Sequence, residues 1–230
     1  MLRLDDCILA NGDFILKADF SIEAGASAAI IGPSGAGKST LLEAIAGFRD
    51  LSRGHIFWND LDLTRQPPGK RPMAVLFQDN NLFPHLSAQQ NVALGIRPSG
   101  RLSTQEMASV QSALARVGLA DMGARMPSEL SGGQQSRVAL ARVLVQRRDI
   151  LLLDEPFAAL GPALKADMLD LVAELIGGTN MTLLMISHDP QDARRITKQA
   201  VLVADGVAHP PEPTGELLDN PPPSLRDYLG

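Results

Sequence analysis

The stretch Gly32-Pro33-Ser34-Gly35-Ala36-Gly37-Lys38-Ser39 constrains this chain more than any other. A glycine, four residues and then Gly-Lys-Ser is the spacing of a phosphate-cradling P-loop. Its glycines let consecutive backbone N–H groups turn inward around an anion, and Lys38 reaches toward the outer phosphates. Ser39 offers a hydroxyl to Mg²⁺, with Thr40 just behind it. A helix starting here points its positive end at the phosphates. The flanks agree with this reading: Ala28-Ala29-Ile30-Ile31 predicts a buried strand, and Ser39 to Ala46 a helix stopped by Gly47. A bare glycine turn would leave that strand-and-helix setting unexplained. The expectation is a nucleotide site on a P-loop NTPase fold.

At 230 residues and 45% hydrophobic, the chain has ample material for one large domain or a domain with a subdomain. With 4% aromatics, that core should be aliphatic. A formal net charge of −5 and a pI near 5.3 argue against a broad nucleic-acid surface. The single cysteine, Cys7, excludes an internal disulfide framework and suits a reducing compartment. It reads as a small apolar residue of the first strand. No apolar run approaches the length of about 18 residues needed to cross a membrane, and the N-terminus has no signal pattern, so membrane association should come through a partner.

Along the chain, residues 1–28 alternate short apolar runs with turns at Asn11-Gly12-Asp13 and Glu23-Ala24-Gly25, which suggests antiparallel strands. His55–Trp58 and Met73–Phe77 read as further strands. From about Leu82 to Val145 the pattern becomes helical, as an insertion. Ser103 and Glu106 form a capping box, with Met107, Val110, Leu114 and Val117 on one face and Gly118 as the stop. Ile150–Leu153 and Met181–Ile186 are continuously apolar, as central parallel strands are, with a helix from about Ala163 to Ile176 between them. Val201–Ala204 and the Asp205-Gly206 turn are expected to close the sheet. The Pro-rich tail is expected to cover the surface as turns and short extended pieces. Strands alternating with helices give an α/β fold with a parallel core, an antiparallel β subdomain and an inserted helical subdomain, spanning 1–230 as one domain.

Asp154-Glu155 directly follows the apolar run. After a P-loop, a strand-end aspartate holds Mg²⁺ and a neighbouring acid acts on the attacking water. Asp154 is therefore assigned to metal and Glu155 to general base. Leu130-Ser131-Gly132-Gly133-Gln134 stands at a helix start, where Ser131 and the glycine backbone can present donors to an anion. A Ser N-cap after a glycine turn explains Ser131 but not Gln134.

Gly32–Ser39, Gln78, Leu130–Gln134, Ile150–Glu155 and His188, in this order, resemble the ATP-binding subunits of ABC transporters over nearly the whole chain. The resemblance implies a head-to-tail dimer with ATP and Mg²⁺ sandwiched between copies. Each site would take its P-loop from one chain and Ser131, Gly132, Gly133 and Gln134 from the other. It further assigns Gln78 to Mg²⁺ and the attacking water, and His188 to the γ-phosphate and to positioning Glu155. An integral membrane permease, a periplasmic substrate-binding protein acting indirectly and the cytoplasmic face of a bacterial inner membrane are also implied. Leu82-Phe83-Pro84-His85-Leu86 would hold part of the permease contact. The wording Phe77–Phe83, Asn91-Val92, Leu183–His188 and Val203–Gly206 is most similar to the group serving thiamine importers. Sulfate, polyamine and ferric-iron importers share much of it. A soluble ABC ATPase of translation or repair would need tandem ATPase domains or coiled-coil insertions, and Leu130–Gln134 argues against a nucleotide kinase.

Two positions depart from the family. Gly161 stands where relatives carry an aspartate that links the two ATP sites, so weaker coupling without loss of hydrolysis is expected. The adenine-stacking aromatic falls near Asn11, with Phe14 as the nearest candidate.

Overall fold

The computed structural model describes residues 1–79, 81–98 and 101–229. Leu2–Asn11 (β1) and Phe14–Ile22 (β2) alternate apolar and polar residues and pair antiparallel, with Gly12 at φ +58° in their turn. Ser27–Ile31 (β3) leads through the P-loop into Lys38–Ala46 (α1). Arg53–Trp58 (β4) and Leu61–Asp62 (β5) add to β1, and Met73–Leu76 (β6) follows. The helical insertion is Ala88–Ala93 (α2), Thr104–Arg116 (α3) and Gly132–Leu144 (α4). Ile150–Asp154 (β7), Pro162–Gly177 (α5), Thr182–Ile186 (β8), Pro190–Ile196 (α6) and Gln199–Ala204 (β9) complete the α/β core. Val207–Ala208 (β10), Glu212–Pro213 (β11), Thr214–Asp219 (α7) and Pro223–Leu229 (α8) form the C-terminal stretch.

The continuous apolar runs are strands buried on both faces, and period-two alternation sends their side chains into separate cores. Leu152 and Leu184 enter the core shared with β1, β2 and α1. Leu151 and Leu183 enter the core shared with α3, α4 and α5. The strand order is β5-β4-β1-β2-β10-β9-β3-β8-β7-β6, with β11 also on β9. From β9 to β6 the ladders are parallel; from β5 to β2 they are antiparallel.

Two expectations are corrected here. Val201–Ala204 does not close the sheet at an edge: β9 pairs with β3 on one side and β10 on the other. The reason lies in the Asp205-Gly206 turn. Both residues have positive φ, +51° and +75°, so they make a tight hairpin that carries β10 across to β2 and joins the two subdomains. The tail is not merely turns and extended pieces. After Pro210-Pro211, it folds into α7 and α8, whose Leu217, Leu218 and Leu225 bury against Ile31, Ala193 and Leu202. Prolines at the edges of these helices stop the chain from extending them, but they do not prevent helix formation between them.

Cys7 is buried in β1, and its thiol is pushed up to about 11, chiefly by burial, which leaves it inert. The helix α1 lies between the antiparallel and parallel portions, burying Leu41, Leu42 and Ile45. Its last carbonyls are met by a residue that no motif announces. Arg71, 2% exposed, donates from Nη1 to Ala44 O at 2.8 Å and Ile45 O at 2.7 Å. The guanidinium also fills the space a side chain at Gly47 would need, since a Cβ there would lie 2.5 Å from Arg71 Nε.

Leu225 is fully buried, so Leu225→Ala should lower unfolding free energy by about 2–5 kcal/mol in a denaturant titration. A loss below about 0.5 kcal/mol would show that the tail is not integral to the core.

Candidate functional site

The parallel strands β3, β7 and β8 lie side by side, so their carboxyl ends deliver three separated pieces of sequence to one edge. This is where open α/β sheets place ligands. After β3 the chain turns through Gly32, at φ +146°, where a Cβ would strike Val203 O at 2.0 Å. Glycine is required at that position by close packing against β9. Gly37, at φ +104°, caps the start of α1, and a Cβ there would meet the Phe14 ring at 2.6 Å. The loop therefore rests on the hairpin β1–β2.

Around it lies an open pocket of about 440 Å³, bordered by Ser34, Gly35, Gly37, Lys38, Ser39 and Thr40 of the loop. Glu155 and His188 border it from β7 and β8; Asn11, Phe14 and Arg49 also contribute. Lys38 is 5% exposed and folds onto the loop, donating to Gly32 O at 2.7 Å and Pro33 O at 2.9 Å. Burial lowers its pKa, opposed by the charges of Glu155 and Asp154. Pro33 and Ala36 shape the turn through an Ala36 N–H bond to Pro33 O at 3.2 Å.

Asp154 ends β7, with Oδ1 3.4 Å from Ser39 Oγ. Burial raises its pKa, and the charge of Glu155 adds to the rise. A carboxylate crowded by a second carboxylate, with a hydroxyl alongside, is a hard-oxygen set that suits a divalent cation. Glu155 has φ +47°, a left-handed conformation that costs a non-glycine residue on the order of 1–2 kcal/mol. Its N–H bonds Ile186 O at 3.2 Å, and Oε1 pairs with His188 Nε2. The turn thus aims the carboxylate along the sheet edge toward the histidine.

Two groups of the expected site lie elsewhere in this single chain. Gln78, exposed beyond the end of β6, does not border this pocket. Neither do Ser131, Gly132, Gly133 and Gln134, which begin α4. Here the sequence argument needs correction, because the helix cap does explain Gln134. Gln134 Oε1 accepts from Ser131 N–H at 2.9 Å while Ser131 Oγ accepts from Gln134 N–H at 3.3 Å, a reciprocal capping box. Gly133 also has a packing reason, since a Cβ there would lie 2.6 Å from Leu164 Cδ2 of α5. Within one chain the side chains of Ser131 and Gln134 are committed to shaping the helix start.

Gly161 is the N-cap of α5, without a side-chain cap. Its φ of −64° is open to any residue, and a Cβ there would meet nothing within 4 Å. What the position lacks is a carboxylate, not room for one. In Leu82–Leu86, Leu82 and Leu86 are half-buried, whereas Phe83 is 47% exposed with its ring edge-on to the exposed His85. Phe48, 55% exposed, leans on Phe77 at 5.7 Å between centroids. Asn80, part of the family-like wording, lies outside the described residues. Arg49 of the pocket was missed because nothing in its spacing marks it; the one local signal is its position just past the α1 stop at Gly47.

The family model described as "ABC transporter" matches residues 15–158. Among curated relatives, the thiamine import ATP-binding protein ThiQ of Ruegeria sp. (strain TM1040) is 63% identical over the full length of both chains. That of Cereibacter sphaeroides is 56% identical, also over both full lengths. Among solved structures, a dimer of the ATP-binding cassette MJ0796 bound to ADP and Pi superposes with TM-score 0.78 at 27% identity. The match covers 93% of this chain and 99% of that one.

Phe14 is the aromatic face at the pocket's edge. Phe14→Ala should weaken ATP binding by about 0.5–1.5 kcal/mol, roughly 2- to 12-fold in Kd by calorimetry. An unchanged Kd in the folded variant would exclude Phe14 from the adenine subsite.

Proposed function

This chain belongs to the ABC transporter family, and from that membership we propose that it powers import of thiamine and its phosphate esters through a membrane permease. It is an ATP-binding subunit that hydrolyses ATP coupled to transport. One observation carries the site assignment: Lys38, Ser39, Glu155 and His188, far apart in sequence, border one pocket at the carboxyl edge of the sheet. The cargo rests on full-length likeness to proteins named for thiamine import.

In this reading, the backbone of Gly32, Pro33, Ser34, Gly35, Ala36 and Gly37 cradles the phosphates, and Lys38 leaves the loop carbonyls to meet them. Thr40 supports the same end of α1. Ser39 and Asp154, with Gln78, would hold Mg²⁺, which would supply positive charge against the phosphoryl group. Glu155 accepts a proton from the attacking water. His188 keeps that carboxylate oriented and reaches the γ-phosphate. Ser131, Gly132, Gly133 and Gln134 of a second copy complete the site, which fits their placement outside the pocket of their own chain. The dimeric solved neighbours support this arrangement. The permease would seat near Phe83, beside the helical insertion, and hold the subunit at the cytoplasmic face of the inner membrane. A periplasmic binding protein would deliver the vitamin without touching this chain.

Glu155→Gln should cut turnover by roughly 10²- to 10⁴-fold while ATP still binds. Cells lacking this subunit but keeping its permease and binding protein should recover labelled thiamine uptake with wild type and not with Glu155→Gln. Full uptake with the variant would remove Glu155 as base; no rescue by an active wild type would move the cargo to another importer class. At the other departure, Gly161→Asp should cap α5, adding about 0.2–0.5 kcal/mol of stability, and tighten ATP-dependent dimerisation. Identical turnover and dimerisation in both proteins would refute a coupling role for this position.

A further inference from the structure

His188 depends on how its backbone is held, and the two residues beside it share one tie. Ser187 Oγ donates to Asp192 Oδ2 of α6, and Asp189 N–H returns to Ser187 Oγ at 3.1 Å. Both carboxylates then meet a single cation. Lys165 Nζ lies 2.6 Å from Asp192 Oδ2 and 3.4 Å from Asp189 Oδ2. Lys165 stands in the first turn of α5, shortly after Gly161, and comes from a different element than either carboxylate.

Two features separate this from an ordinary surface ion pair. Asp192 is 7% exposed, so removing the cation would leave a buried carboxylate uncompensated. A cavity of about 340 Å³ also flanks the histidine loop, bordered by Glu155, Met185, His188, Lys165 and Asp192. On that side the loop faces the cavity, and the Lys165–Asp192–Ser187 contacts tie it to α5 and α6. Burial pulls the Lys165 pKa down, but its bond to Asp192 and the charges of Asp192 and Asp189 outweigh this and raise it, so the cation is secure.

We infer that Lys165 is a positioning residue for hydrolysis: by bridging Asp189 and Asp192, its ammonium fixes the backbone on both sides of His188 and keeps the imidazole on Glu155. Lys165 does not border the P-loop pocket itself. The inference rests on the roles proposed above for Glu155 and His188. A two-pronged cation is what the geometry uses, so arginine can replace lysine and an uncharged side chain of similar length cannot.

The test uses the purified full chain with Lys165→Met and Lys165→Arg, alongside Glu155→Gln and His188→Ala. Lys165→Met should lower kcat about 10- to 100-fold, the usual effect of losing an outer hydrogen-bond partner of a reacting group, with KM for ATP within about twofold. The His188 ring resonance, one of four histidines, should shift or broaden in the NMR spectrum. Lys165→Arg should restore both kcat and the resonance. The inference is overturned if Lys165→Met keeps wild-type kcat, if kcat falls while the His188 resonance stays put, or if Lys165→Arg is as impaired as Lys165→Met. Should Lys165→Met fail to fold, Asp192→Asn carries the same expectation of a kcat-only loss, and unchanged kcat there overturns it. If Glu155→Gln and His188→Ala themselves turn over normally, the proposed roles fall and this inference with them. If they are inactive while Lys165→Met is not, the inference alone falls.

Discussion

Everything in this fold depends on burying one short helix along its whole length while leaving its first turn open. The P-loop helix α1 is enclosed by the antiparallel and parallel parts of the sheet, with Leu41, Leu42 and Ile45 inaccessible. Burial of each such side chain contributes about 1.5–3 kcal/mol. A buried helix also leaves unpaired carbonyls at its far end, which would cost comparable amounts if left unmet. Arg71 meets them, and the glycine at the helix stop makes room for its head group. At the near end no side chain caps the helix. Its first-turn residues Lys38, Ser39 and Thr40 border the pocket, the placement that suits phosphate at a helix start.

The same sheet supplies the chemistry. Parallel neighbours β7 and β8 end level with each other, Asp154 opposite Ile186, so Glu155, one residue past β7, and His188, two past β8, land at one edge. Glu155 and His188 are therefore partners by register, not by sequence proximity. The left-handed backbone at Glu155 is the local strain that such an edge tolerates, since the surrounding strands over-determine it.

Most of this was legible because the informative residues obey short-range rules. The P-loop spacing, apolar runs, the Ser103–Glu106 capping box and the acids after β7 each state their geometry within a few positions. What was not legible is long-range or reciprocal. Arg71 is an ordinary arginine in sequence, and its partners lie more than twenty residues away. The placement of β9 follows from the two-residue turn to β10, not from its own apolar pattern. Proline density in the tail said where helices break but not that Leu217 and Leu225 had a core to enter. Gln134 shows a subtler failure: a side chain expected to need a ligand already has a partner three residues away.

The start of α4 is a finished structure by itself, capped by Ser131 and Gln134 and closed against Leu160 and, in the first turn of α5, Leu164. α5 in turn carries Lys165 to the histidine loop, and that loop carries His188 to Glu155. A continuous set of contacts therefore runs from the start of α4 to Glu155 and His188 of the pocket. Gly161 sits in the middle of that path as an uncapped helix start. With a carboxylate absent there, α5 joins the two ends of that path by the packing of Leu164 and by the tether of Lys165.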